Sequence, residues 1–340
     1  MTNIIMVFII CALVSVLLIG MQYRMPNINF FNKENTNTMR GFWCLIIILV
    51  HIPVMYENRI QDMIGSFAYI GVTFFFMTSA YGLKLLFEKK TNSIIGFWKK
   101  RLPKLIVPCL MVNLFEMIVL FPTSEYSIMR LLHINDWVKW LLMCYFIFWF
   151  CYKIGGGYQD TIVSFLIIMM SLFIYWIKLK GIINGTTWCT EVFGFIWGLI
   201  LANYKNKIIN FLNKDWSIKL TIIVCLSCIL GVGYLKLKTI LFLGDYILKI
   251  LLGITIIFFL LIINVRFTFG NRISEFLGKI SYEVYLTQWV VIPLINIFKI
   301  KNSGIYILIV LFVTVVIAFF IYNVDAMILK IIENRRIKNV

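Results

Sequence analysis

Residues 40–51 read Arg40-GFWCLIIILV-His51, an apolar run that starts on an arginine and reaches a histidine eleven residues later. At 3.6 residues per turn this interval is about three turns, so the two side chains share one helix face. The rise of 1.5 Å per residue separates them by roughly 16 Å along the axis. If the run spans a membrane, Arg40 marks one surface and His51 lies inside the apolar layer. Ionisable groups there are costly and usually face a polar cavity. His51 is the only histidine inside an apolar run; the second histidine, His133, falls in a loop. The pair has two uses: a positive boundary residue with a hydrogen-bonded core histidine, or a polar constellation for chemistry.

The rest of the chain supports the membrane setting. Of its 340 residues 61% are hydrophobic and 14% charged, with a mean hydropathy of +0.93. A water-soluble domain of this size has too little interior for that much apolar surface, so the class is an all-α polytopic membrane protein. The net charge of +17 is then read by location, since Lys and Arg gather in cytoplasmic loops, and it implies no nucleic-acid partner. The eight cysteines all sit in apolar runs and read as buried packing residues rather than a disulfide framework. Cys225-Leu-Ser-Cys228 lies in mid-helix without a second pair or nearby histidine, so no metal site is expected.

The first apolar run, about 4–21, lacks a basic leader and a small-residue cleavage site, and reads as a retained helix. Residues 22–40, containing NKENTNT, read as a polar loop. Ten further spans follow, near 41–56, 67–87, 102–121, 137–152, 161–179, 187–203, 218–235, 246–263, 280–298 and 304–329, about eleven crossings in all. Lys and Arg minus Asp and Glu in alternate connections give +15 on one side and +5 on the other. That asymmetry places the N-terminus outside and the C-terminus in the cytoplasm. Gly155-Gly156-Gly157 lacks the following lysine and strand of a phosphate loop and reads as a connection.

Polar groups near or within these runs are few. Lys99, Lys100, Arg101 and Lys104 stand where a helix enters from the cytoplasm, interrupted by Pro103 and Pro108. They suit either the phosphates of a cytoplasmic donor or anionic lipid headgroups. Glu116, Glu191 and Glu283 lie inside apolar runs, where each is either a satisfied core carboxyl or a group that orients a histidine. Tyr282, Tyr285 and Trp289 in SYEVYLTQW read as an interfacial aromatic belt in preference to a pocket wall.

Four stretches in order resemble the acyltransferase 3 family of integral membrane acyltransferases, over roughly residues 38–325. Arg40-Gly41 followed by His51 matches its R-x10-H helix. GVTFFFMTSAY (71–81) looks like its helix with paired phenylalanines and a Ser-Gly step. Arg101-x2-Lys104-x3-Pro108 is similar to its basic entry, and LGKISYEVYL (277–286) matches its late signature. Departures are Ala80 for the usual glycine, Lys104 for the second arginine, and Gln288 for a histidine often found after YL. The acidic residue many members carry in the helix at 137–152 is also missing.

The resemblance implies a ten-helix acyltransferase core at 38–330, preceded by an extra N-terminal helix and loop (1–37) and followed by a cytoplasmic tail (331–340). It implies O-acyl transfer, most often acetyl from acetyl-CoA to a hydroxyl of a cell-surface polysaccharide (capsule or exopolysaccharide) or its lipid-linked precursor. His51 would be the base and Arg40 would bind the donor; Lys100, Arg101 and Lys104 would hold its phosphates. Ser79, Glu116, Glu191, Tyr282 and Gln288 would support the site. The low alanine content with abundant Ile, Lys, Asn and Phe suggests an AT-rich bacterial genome and hence a bacterial plasma membrane. A transporter or flippase for a lipid-linked sugar or small anion shares the composition and topology but gives no reason for the four ordered motifs.

Overall fold

The computed structural model describes residues 2–25, 27, 30–56, 58–89, 94–120, 128–183 and 187–338. Parts of the connections expected near 84–104, 122–139 and 178–187 lie outside these residues. In chain order the helices are α1 (Thr2–Leu18), α2 (Lys33–Val50), α3 (Arg59–Gly65), α4 (Tyr69–Lys89), α5 (Phe97–Leu120), α6 (Ile128–Leu131) and α7 (Asp136–Ile154). They continue as α8 (Gln159–Leu179), α9 (Phe193–Asn213), α10 (Trp216–Leu237), α11 (Lys249–Asn264), α12 (Arg272–Lys279), α13 (Ser281–Asn296) and α14 (Ser303–Lys338). Among the described residues, seven segments are long and apolar enough to cross a bilayer by length and composition. The sequence expectation of about eleven crossings would further require α1, α2, α9 and α13, which are shorter or more polar.

The connections gather at two ends. At one, Gln22–Tyr23 pairs antiparallel with Phe267–Thr268, joining the α1–α2 and α11–α12 connections. Asn271 reaches back to the carbonyls of Val16 and Ile19 at the end of α1, at 2.6 and 2.7 Å. At the other, Tyr56 stacks on Tyr306 with ring centroids 3.7 Å apart, and Lys238 donates to Ser66 at 3.0 Å. The first is the basic end of the charge count and the second is the end that carries His51.

The polar stretch NKENTNT is helix, not loop. Asn32 caps α2 by accepting from the Asn35 amide at 2.8 Å, and Glu34 sits in the first turn. The Thr36 and Thr38 hydroxyls bond to the carbonyls of Asn32 (2.8 Å) and Glu34 (3.2 Å), so their burial leaves no donor unmet. Asn35 Oδ1 accepts from the Phe269 amide at 3.2 Å. The segment is polar because it packs on other chain rather than on lipid. Asn32→Ala is expected to lower stability by about 1 kcal/mol, read as a fall in the melting temperature of the detergent-solubilised protein.

This extra helix moves Arg40 two turns inside α2 and puts His51 at its end. The position is fixed by α12. A Cβ on Gly41 would strike Ser274, Leu277 and Gly278, and one on Gly278 would strike the backbone of Asn37. Small residues at the crossing therefore let the two helices touch backbone to backbone. The cysteine reading holds in part: Cys44, Cys109, Cys144, Cys151 and Cys189 are buried, whereas Cys11, Cys225 and Cys228 are exposed on outward faces of α1 and α10. Those two helices sit at the rim of the bundle, where an outward cysteine meets the same apolar surroundings as a buried one.

Candidate active site

Helix α2 stops at Val50 because Pro53 offers no amide to the ladder and biases Ile52 away from helix. His51 is its C-cap, with its backbone amide bonded to the Ile48 carbonyl at 3.1 Å. The imidazole is therefore free of helix duties and packs on Trp289 of α13, ring centroids 4.3 Å apart. It faces a cavity of about 690 Å³ at the non-basic end, a volume within the ordinary range for small-molecule sites.

Four elements besides α2 build the wall. From α5 come Cys109, Val112, Asn113 and Glu116; from α6 and the turn after it Met129, Arg130 and His133; from the start of α7 Asn135 and Asp136; from α13 Tyr285, Leu286, Trp289 and Val290. Trp188, ahead of α9, completes it. Asn113 holds the turn after α6 by donating to the carbonyls of Leu131 (2.9 Å) and His133 (2.6 Å). Arg130 and Glu116 pair at 2.6 Å on the rim. His133 thus shares a cavity with His51, although its loop position carried no sign of this. Arg130, Asn113 and Asp136 were equally silent, since only the packing of α5, α6 and α7 brings them together.

The aromatic residues of α13 correct the belt reading. Tyr285 is buried against Trp137 at 5.0 Å, and Tyr285 and Trp289 both line the cavity. Tyr282 donates to the Leu105 carbonyl at 2.8 Å and lies 3.4 Å from Cys109 Sγ, tying α13 to α5. Gln288 is fully buried; its amide donates to the Tyr285 carbonyl at 2.9 Å, and its Oε1 has no partner among the described residues.

Among the described residues, no carboxylate orients His51. Glu116 pairs with Arg130. Glu191 is buried in an ion pair with Lys249 at 2.6 Å and also accepts from Thr190 at 2.9 Å. Glu283 lies toward the basic end, and its charge acts on Arg40.

Arg40 is not at a surface. Its guanidinium stands over the Phe75 ring, 5.1 Å from the centroid, with a buried Nε that has no partner. The buried Tyr145 hydroxyl feels Ser79 and the charges of Arg101 and Arg40. Lys100 and Lys104 face the other way, into a groove of about 150 Å³ closed by Leu329, Ile332 and Glu333 of α14. The structure accordingly separates the expected site into two places. His51 belongs to the large cavity, while Arg40, Ser79, Arg101, Lys100 and Lys104 gather toward the basic end.

No curated protein and no solved structure matches the chain. A family model described as an acyltransferase domain matches residues 33–323. That match begins at the first residue of α2, runs into α14, and so takes in both the His51 cavity and the Arg40 cluster. The chain belongs to the acyltransferase 3 family and is a multi-pass membrane acyltransferase.

Proposed function

We propose that the protein moves an acyl group, acetyl in the simplest case, from acyl-CoA to a hydroxyl of a cell-surface polysaccharide or its lipid-linked precursor. The observation that carries this reading is a histidine at a helix end, opening on a cavity large enough for a sugar, with a basic groove at the opposite end of the same bundle. Lys and Arg concentrate at the groove end, which makes it the cytoplasmic face, where acyl-CoA is available. The cavity then opens to the outside of a bacterial plasma membrane.

A thioester is already activated. The protein must deprotonate the acceptor and steady the charge that develops on the carbonyl oxygen. His51 takes the hydroxyl proton as the acceptor oxygen bonds to the thioester carbon. The tetrahedral adduct collapses with cleavage of the carbon–sulfur bond, and the thiolate leaves with the proton held by His51. The products are an ester and free CoA thiol. Trp188 and Trp289 offer apolar faces to a sugar ring, while Asp136 and His133 supply polar edges for its hydroxyls.

The test is transfer from labelled acetyl-CoA in membranes carrying the protein and the host glycan. Label in an alkali-labile ester supports the reading; glycan transport without any ester formation overturns it. At the groove, the double change Lys100→Ala with Lys104→Ala is expected to raise KM for acetyl-CoA about fivefold, the order of two solvated charge contacts. It should leave kcat unchanged, as steady-state rates at varied donor will show.

A further inference from the structure

Helices α5, α13 and α14 pack on one another between the basic groove and the His51 cavity. Their shared interior holds carboxyl oxygens that have no hydrogen-bond partner among the described residues. Asp325 of α14 is 2% exposed, and neither carboxylate oxygen has a hydrogen-bond partner among the described residues. Glu283 of α13 is 6% exposed, and its Oε2 is likewise unpartnered. The charge of Asp325 acts on Glu283, and that of Glu283 reaches Arg40.

Their placement follows a line. Asp325 is one helical turn from Leu329, which walls the Lys100/Lys104 groove. Its charge also acts on Cys109, which lines the His51 cavity. Glu283 sits two residues before Tyr285, another residue of that cavity. The two carboxyl groups therefore lie between the two openings.

Burying a carboxyl group without partners costs stability; among the described residues no hydrogen bond offsets that cost for Asp325, and for Glu283 Oε2 only the charge of Arg40 does so in part. A ligand that satisfies these oxygens must bring N–H or O–H donors into a narrow, dry interior. Acyl chains bring none, and phosphates would be repelled. A slender chain carrying amides and a hydroxyl, with its phosphates left at the lysines and its thioester leading, meets every condition.

We propose that Glu283 and Asp325 form a subsite for the pantetheine arm of the acyl-CoA donor, accepting from its amide and hydroxyl groups as it runs from the Lys100/Lys104 groove toward His51. This rests on the donor reading above. The two residues are positioning groups and take no part in bond making.

The test compares three acetyl donors in membranes: acetyl-CoA, acetyl-pantetheine without the nucleotide, and S-acetyl-thioethanol without amides. Asp325→Leu is expected to raise KM about tenfold for the first two donors, the worth of one hydrogen bond to a charged group. It should leave the rate with S-acetyl-thioethanol unaltered and the melting temperature undiminished. Asp325→Asn, which keeps an acceptor oxygen, should retain most of the donor affinity, and Glu283→Leu should raise KM for the same two donors. Unchanged KM for both pantetheine donors in the leucine variants overturns the subsite, as does an equal loss with the amide-free donor. Failure of the unsubstituted protein to transfer from any thioester overturns the donor reading itself, and the subsite with it.

Discussion

His51→Ala is expected to lower acyl transfer by about two to four orders of magnitude, the usual worth of a positioned general base. The loss should be that large because, among the described residues, no second group sits against the imidazole to take over the proton. The variant should still fold. Only the backbone of His51 closes the last turn of α2, through its amide to the Ile48 carbonyl, and that bond survives any side chain. His51→Gln sharpens the result, since it keeps a planar polar group near Trp289 and removes the base. Both variants should reach the membrane in normal amount and show donor KM within a small factor of the parent. Full activity in either would remove His51 from the chemistry and turn attention to His133, which shares its cavity.

The second large effect is on stability. Lys249→Met should destabilise the protein by about 3–5 kcal/mol, because it leaves the Glu191 carboxylate buried without its counter-charge. The pair is 2.6 Å apart, with the side chain of Glu191 5% exposed and that of Lys249 19% exposed, so solvent screens it little. Lys249 also lies over the Tyr69 ring, 4.8 Å from the centroid, and its carbonyl accepts from the Tyr69 hydroxyl at 3.0 Å. The second of these contacts survives in the variant. Removing both charges together, as Glu191→Leu with Lys249→Met, should recover most of the loss, since an apolar pair of similar size pays no desolvation. Thermal melts of the three proteins in detergent make the measurement. A double variant that also keeps its acyl transfer would establish that Glu191 holds α9 to α11 rather than orienting a histidine. Equal melting temperatures across the set would show that the pair is solvated.

These expectations lean on different levels of information. Membrane class and the long spans follow from the apolar runs themselves, because a hydrocarbon layer demands about twenty apolar residues in one helix and little else. Spans such as 137–152 and 161–179 therefore lie within a few residues of α7 and α8. The family signatures were legible for a similar reason: Arg40 and His51 share α2 and its cap, the paired phenylalanines lie in α4, and the LGKISY stretch spans only the α12–α13 junction, so local order is enough.

What failed was read against the wrong solvent. NKENTNT is too polar for lipid but well suited to a helix whose hydroxyls bond its own carbonyls and whose glycine crossing meets α12. Tyr285 looked like an interface anchor and is a cavity wall, because a helix face turned to protein and one turned to headgroups use the same aromatic residues. Asp325 drew no notice near the end of the last expected span, 304–329, and is among the most buried carboxyl groups described. His133 is 82 positions from His51 in the chain and lines the same cavity. Hydropathy and spacing record which residues a bilayer tolerates and how far apart they lie along one helix. Which polar groups converge is decided by how α2, α5, α7, α13 and α14 cross. That information is held in contacts between elements and in no single one of them.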